Sequence, residues 1–157
     1  MKAIGANYVR NTMSDRHDKG FELYPFKRLD NGKYDLGKWD EEYWQRFDHF
    51  LKETAKRSII VQIEIWDRFD YSRDNWLPHP YNPKNNVNYS SKDSGLALEY
   101  PKHPYMDLQP FFHTIEGMPN YSSASKLLKK YQKKFVDKLL SYSLKYGNVI
   151  NSANRFF

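Results

Sequence analysis

The sequence of 157 residues predicts an α/β fold on a parallel sheet, in the form of a partial TIM (β/α)8 barrel. Three observations carry that expectation. Strand-like and helix-like segments alternate along the chain, the signature of right-handed βαβ units. The strongest strand, at residues 59–66, reads "IIVQIEIW" and is apolar on only one of its two faces. A long proline-rich segment follows it, where a barrel strand would hand over to an active-site loop.

Each element rests on its own residues. "AIGANYVR", residues 3–10, reads as a short strand. Residues 11–37 are rich in Gly, Asp, Asn and Pro and read as a loop. Trp39, Tyr43, Phe47, Phe50, Leu51 and Ala55 recur at helical spacing among charged residues, with Asp35 as the expected N-cap. In the next strand, side chains alternate between faces. Ile59, Val61, Ile63 and Ile65 therefore share one face, and Ile60, Gln62, Glu64 and Trp66 the other. A doubly wound sheet buries both faces under helices and needs both apolar. A barrel covers only its outer face with helices, and its interior turns polar toward the C-terminal mouth. Gln62 and Glu64 are thus expected to point inward, with Glu64 nearer the mouth.

Residues 67–121 contain Pro78, Pro80, Pro83, Pro101, Pro104, Pro110 and Pro119 among many aromatic residues. So long a loop is uncommon unless functional or disordered, and the aromatic density predicts an ordered one. A second helix is expected over 123–146. Leu128, Tyr131, Phe135, Leu139, Tyr142 and Tyr146 form its apolar stripe, and Gly147 its stop. Residues 148–153 begin a third strand. Length suggests one domain spanning 1–157. Three strands and two main helices fall short of the about 250 residues of a whole barrel. They leave sheet edges and an apolar face uncovered. The expectation is a domain truncated at both ends, with the remainder of the barrel as its missing partner.

Composition narrows the function. The chain holds 4 Trp, 13 Tyr and 10 Phe, side chains that fill cores and also offer flat faces for stacking. The net charge of +6 is local, since Lys126, Lys129, Lys130, Lys133, Lys134 and Lys138 crowd one helix. These lysines interleave with a core stripe, so a solvated outer helix is expected and no nucleic-acid partner. The absence of cysteine excludes a disulfide framework and a cysteine zinc site. His79, His103 and His113 are too irregularly spaced for a metal site, and no cofactor is implied. No apolar run has the length of a membrane span. The start, "MKAIGANYVR", lacks the apolar stretch of a signal peptide, as a start inside a longer fold also would.

"GANYVRNTMSDR", "YPF", "GKYDLGKWDEEYWQRFDHFLKETAKRSIIVQIEIWD" and "GNVIN" together resemble the front part of clan-A-type (β/α)8 glycoside hydrolases, including cellulase-like and β-galactosidase-like members. The resemblance covers nearly the whole chain and places it at about strands two to four of eight. It implies a β-linked poly- or oligosaccharide substrate and a retaining mechanism. One departure is plain. The family's fourth strand ends in Asn-Glu, the Glu being the general acid/base, whereas here "NVINSANRFF" puts Arg155 or Phe156 at that position. No carboxylate follows Asp137, and the family's nucleophile belongs to a later strand. Retaining hydrolysis needs two carboxyl groups about 5–5.5 Å apart, so no catalytic residue and no glycosidase activity is expected of these residues alone.

The expected contribution is to substrate binding. Arg10 resembles the family's arginine that orients the nucleophile, a task suited to a permanently charged planar donor; a surface ion pair is the plainer role. Asn11 is a candidate ligand for a sugar hydroxyl, or a turn former. Glu64, Trp66 and Asp67 stand at the mouth end of the 59–66 strand, where Glu64 accepts from hydroxyls, pairs with Arg10, or is a structural carboxylate buried in a polar network. Glu64 and Asp67 fall on opposite faces of a continued strand, which argues against a catalytic pair. Trp66, Tyr71, Trp76, Tyr81, Phe111 and Phe112 form a candidate stacking platform, or else the packing of the loop. His79 and Asn86, with the neighbouring asparagines of "WLPHPYNPKNNVNY", are candidate polar ligands. A non-catalytic carbohydrate-binding segment is the alternative function, and a basic nucleic-acid-binding domain the less favoured one.

Overall fold

The computed structural model describes residues 2–13, 23–103, 116–117, 121 and 125–152. Within them lie strands β1 (Tyr8–Thr12), β2 (Phe26–Arg28), β3 (Tyr34–Trp39), β4 (Ile60–Glu64) and β5 (Val149–Ser152). The α-helices are α1 (Glu41–Lys56), α2 (Arg73–Trp76), α3 (Ser91–Ser94) and α4 (Ser125–Ser143). The protein is mixed α/β. Strands β1, β4 and β5 form a three-stranded parallel sheet in that order. Strands β2 and β3 pair as a separate antiparallel hairpin.

The sheet has two unlike sides. Val61 and Ile63 are fully buried, and Ile59 and Ile65 nearly so, because α1 and α4 cover that face together. The two helices meet each other there: Trp44 stacks on Tyr142 with ring centroids 5.5 Å apart, and the Tyr146 hydroxyl donates to Asp48 at 3.1 Å. Trp44 is wholly buried and donates its indole N–H to the Pro25 carbonyl at 3.1 Å, which ties the hairpin to the same core. On the other side Ile60 is 40% and Ile150 53% exposed, and Tyr8 is also exposed. The one-sided apolarity of residues 59–66 is therefore real, and the face holding Gln62 has no helix of the described residues on it.

Several boundaries differ from expectation. β1 begins at Tyr8, and Lys2–Ile4 form a 3-10 turn instead of strand. Residues 11–37 are not all loop, since they contain β2 and most of β3. Those strands are short and rich in charge, so alternation is faint in them. Their pairing depends on distant residues: the Leu36 N–H donates to Asn88 Oδ1 at 2.7 Å, and the Tyr34 N–H to the Asn85 carbonyl at 2.7 Å. Trp39 ends β3 and is not on the helix. The N-cap is Asp40, whose carboxylate accepts from the Tyr43 N–H at 3.0 Å. Asp35 serves the hairpin, accepting from the Gly37 N–H at 2.9 Å and the Asn88 amide at 3.1 Å. The four-residue step from Trp39 to Tyr43 imitates a helical turn, and only the cap geometry separates strand from helix. α4 ends at Ser143, earlier than the glycine stop at 147 implied, with a turn from the Tyr146 N–H to the Ser143 carbonyl at 3.2 Å.

Residues 67–103 fold into an ordered layer at the strand ends. Asn82 and Asn86 are its internal braces. The Asn82 amide donates to the Trp76 and Leu98 carbonyls at 3.1 and 2.9 Å, and the Asn86 amide to the Pro80 and Asn82 carbonyls at 3.1 and 3.0 Å. A buried amide that meets several backbone groups satisfies the polar atoms a loop cannot pair by itself.

Candidate functional site

The C-terminal ends of β1 and β4 bring a polar row together on the face that no described helix covers. Register pairs Tyr8 with Ile60, Arg10 with Gln62 and Thr12 with Glu64. Arg10 Nε contacts Glu64 Oε1 at 2.7 Å; the Arg10 side chain is 62% exposed and that of Glu64 only 7%. The Gln62 amide donates to the same Oε1 at 3.5 Å, and the Tyr8 hydroxyl donates to Gln62 Oε1. The chain of contacts thus runs from an exposed phenol to a buried carboxylate. Glu64 Oε2 is buried and has no hydrogen-bond partner among the described residues. A buried carboxylate oxygen without a donor is costly, and a ligand hydroxyl or a water would relieve it.

Behind β4 the chain turns into a cavity. Trp66 follows the strand with its ring centroid 5.3 Å from that of Phe135. Asp67 caps the 3-10 turn Arg68–Tyr71, accepting from the Phe69 N–H at 2.9 Å. Asp70 lies within that turn and is buried. Asp67 and Asp70 both line a cavity of about 30 Å³ with Trp66, Tyr71, His79 and Tyr81. That volume suits a water molecule rather than a sugar ring. His79 Nδ1 accepts from the Tyr81 N–H at 3.1 Å, which leaves the proton of the neutral ring on Nε2. Burial pushes the His79 pKa down to about 3, so the ring is uncharged at neutral pH. The Tyr81 hydroxyl, also buried, lacks a hydrogen-bond partner among the described residues.

The expected site residues divide into three groups. Arg10, Glu64, Trp66 and Asp67 gather around the end of β4, although Glu64 belongs to the sheet face and Asp67 to the cavity. Asn11 lies on the opposite side of β1 from Arg10, in register with buried Ile63, and its amide contacts Met13 Sδ at 3.7 Å. Tyr71, Trp76, His79, Tyr81 and Asn86 belong to the loop layer. Trp76 is 0% exposed and donates its indole N–H to the Ala97 carbonyl at 3.1 Å. It presents no face to a sugar and packs the loop instead. Asn86 Oδ1 accepts from the Asn88 and Tyr89 N–H groups at 3.0 and 3.1 Å, so that side chain is fully engaged within the chain. Phe111, Phe112, Arg155 and Phe156 lie outside the described residues. Asp70 was not among the expected site residues; its spacing of three from Asp67 was the available signal.

Among the described residues no group of His, Asp and Glu could hold a metal ion, and no helix is long and apolar enough to cross a membrane. Comparison of the chain with family models, with curated proteins and with solved structures gives no significant match in any of the three.

Proposed function

We propose that the chain contributes strands of a (β/α)8 barrel of glycoside hydrolase type, and that its strand ends bind a β-linked oligo- or polysaccharide without supplying the catalytic carboxylates. The observation that carries this reading is the Arg10–Glu64 ion pair at the ends of adjacent parallel strands, on a sheet face that no described helix covers. Two further features support it. The sheet order β1, β4, β5 follows chain order without reversal, as successive strands of a barrel do. Both crossover helices lie on one side, as helices of an outer ring do. Glu64 Oε2 then accepts from a sugar hydroxyl, and Arg10 holds the carboxylate in place.

The chemistry here is recognition. Glu64 is neutralised by Arg10, and Asp67 is committed to a cap; the two carboxylates do not line one cleft. Calorimetric titration of the chain with cello- and β-galacto-oligosaccharides tests the proposal. Saturable binding is expected, weakened by Arg10→Ala and by Glu64→Gln roughly tenfold or more, the worth of a hydrogen bond to a charged group. No turnover of aryl β-glycosides is expected. Absence of binding to every β-linked probe, with thermal melting showing a folded chain, refutes the reading; turnover refutes its non-catalytic part.

A further inference from the structure

Helix α4 carries a basic strip that its own stability does not explain. Lys126, Lys129, Lys130, Lys133 and Lys134 are all exposed. At 100° per residue they fall within an arc of about 140°, and at 1.5 Å per residue they span about 12 Å. Lys133 pairs with Asp137 at 2.6 Å; Lys126, Lys129, Lys130 and Lys134 form no ion pair among the described residues. The first turn of α4 contains no acidic residue. A cation in the first turn, here Lys126, opposes the helix dipole. The pairs Lys126–Lys130, Lys129–Lys133 and Lys130–Lys134 are like charges at the spacing that brings side chains together. Local choices that work against their own element mark a functional demand.

The strip also stands at the right level. Phe135 touches Trp66, just past the end of β4, while the Asn148 amide donates to the Ile59 carbonyl at 2.7 Å, at its beginning. The lysines N-terminal to Phe135 therefore lie level with the strand ends or beyond them, at the same end of the sheet as Glu64.

We propose that this face docks a linear polyuronate, a polysaccharide carrying a carboxylate on successive rings. The inference rests on the carbohydrate reading above and names the class of glycan. The lysines are grouped at one step per helical turn, about 5.4 Å, which matches charges borne on consecutive pyranose units. The strip has no arginine, aromatic or amide side chain on it. Nucleic-acid recognition that reads bases or stacks on them draws on those groups, and lysine–phosphate attraction alone is what the duplex arm of the test measures. Asp137 ends the strip and limits the footprint to a few sugars.

The test titrates the chain with oligogalacturonate, with a neutral cello-oligosaccharide and with a DNA duplex of equal total charge, from low to physiological salt. Oligogalacturonate is expected to bind in a salt-sensitive way. The combined variant Lys126→Gln, Lys129→Gln, Lys130→Gln, Lys134→Gln should bind it roughly tenfold more weakly and with a flatter salt dependence. The same positions changed to arginine should retain binding, and cello-oligosaccharide affinity should be unchanged in both. Tighter binding of the duplex than of oligogalacturonate overturns the proposal, as does uronate binding that is absent or indifferent to the glutamine variant. Loss of the neutral arm alone, with lysine-dependent uronate binding intact, sinks the strand-end reading and leaves this one standing.

Discussion

Helices α1 and α4 share one core and follow opposite electrostatic rules. α1 is capped by Asp40, begins with Glu41 and Glu42, and has Lys56 in its last turn. Its charges are paired along the surface: Arg46 with Glu42, and both Lys56 and Arg57 with Glu53. Every one of these features favours the helix in isolation. α4 has neither acidic residues in its first turn nor basic ones in its last, places Lys126 where the dipole disfavours it, and sets like charges at i,i+4 along its outer face. Its helicity is owed to packing: Leu128 and Leu139 are fully buried, Phe135 nearly so, and Tyr142 lies on Trp44. Even Lys138 is drawn inward, with Nζ 5.7 Å from the Trp44 ring centroid and 5.2 Å from that of Tyr142. One helix is stabilised from within, the other by its neighbour, and the second has its outer face free for a partner.

The comparison can be broken at its centre. Trp44→Ala removes the ring on which both helices rest, and a loss of about 3–5 kcal/mol is expected in urea unfolding. A much smaller loss would mean that α4 does not lean on α1. Asp40→Ala should cost about 1 kcal/mol, with the change read in the same unfolding experiment; an unaffected midpoint would deny the cap its role. Lys126→Glu should do the reverse, raising stability by about 0.3–1 kcal/mol while weakening uronate binding. A variant that gained stability and lost nothing in binding would leave the lysine strip without a function.

The smallest effect is a pH dependence. Hydrogen bonds from Lys56 and then Arg57 hold the Glu53 pKa down from 4.5 to about 2. A carboxylate with a depressed folded-state pKa contributes stability that is complete above its unfolded value and fades as pH falls through the folded one. The difference in unfolding midpoint between the natural chain and Glu53→Gln should therefore be constant above pH 4.5 and vanish toward pH 2. Glu53 is exposed, so the difference is expected to be small and to shrink further with added salt. A difference that persisted at the acid end would assign the effect to something other than the ion pairs.

Much of this architecture was legible in the order of residues. The covered face of β4 followed from alternation at Val61, Ile63 and Ile65, and the stripe of α4 from Leu128, Tyr131, Phe135 and Leu139. The hairpin was not, because β3 is completed by Asn85, Asn88 and Val87, some fifty residues downstream. Trp76 and Asn86 were equally ambiguous. Their residue types serve sugars and loop packing alike, and only burial distinguishes the two uses.

Periodicity and residue type act over a few positions, so they were enough to specify the bodies of α1, β4 and α4 and the face each one buries, but not the β2–β3 hairpin. They also placed a carboxylate and an amide on the polar side of β4. Pairing across the sheet is a different matter, because it is decided by chain closure over distance. Folding chose Arg10 as the partner of Glu64 across fifty-four residues, left Glu64 Oε2 without a donor among the described residues, and put Trp76 in the packing of the loop. Those outcomes depend on which surfaces exclude water together, and no local pattern encodes that.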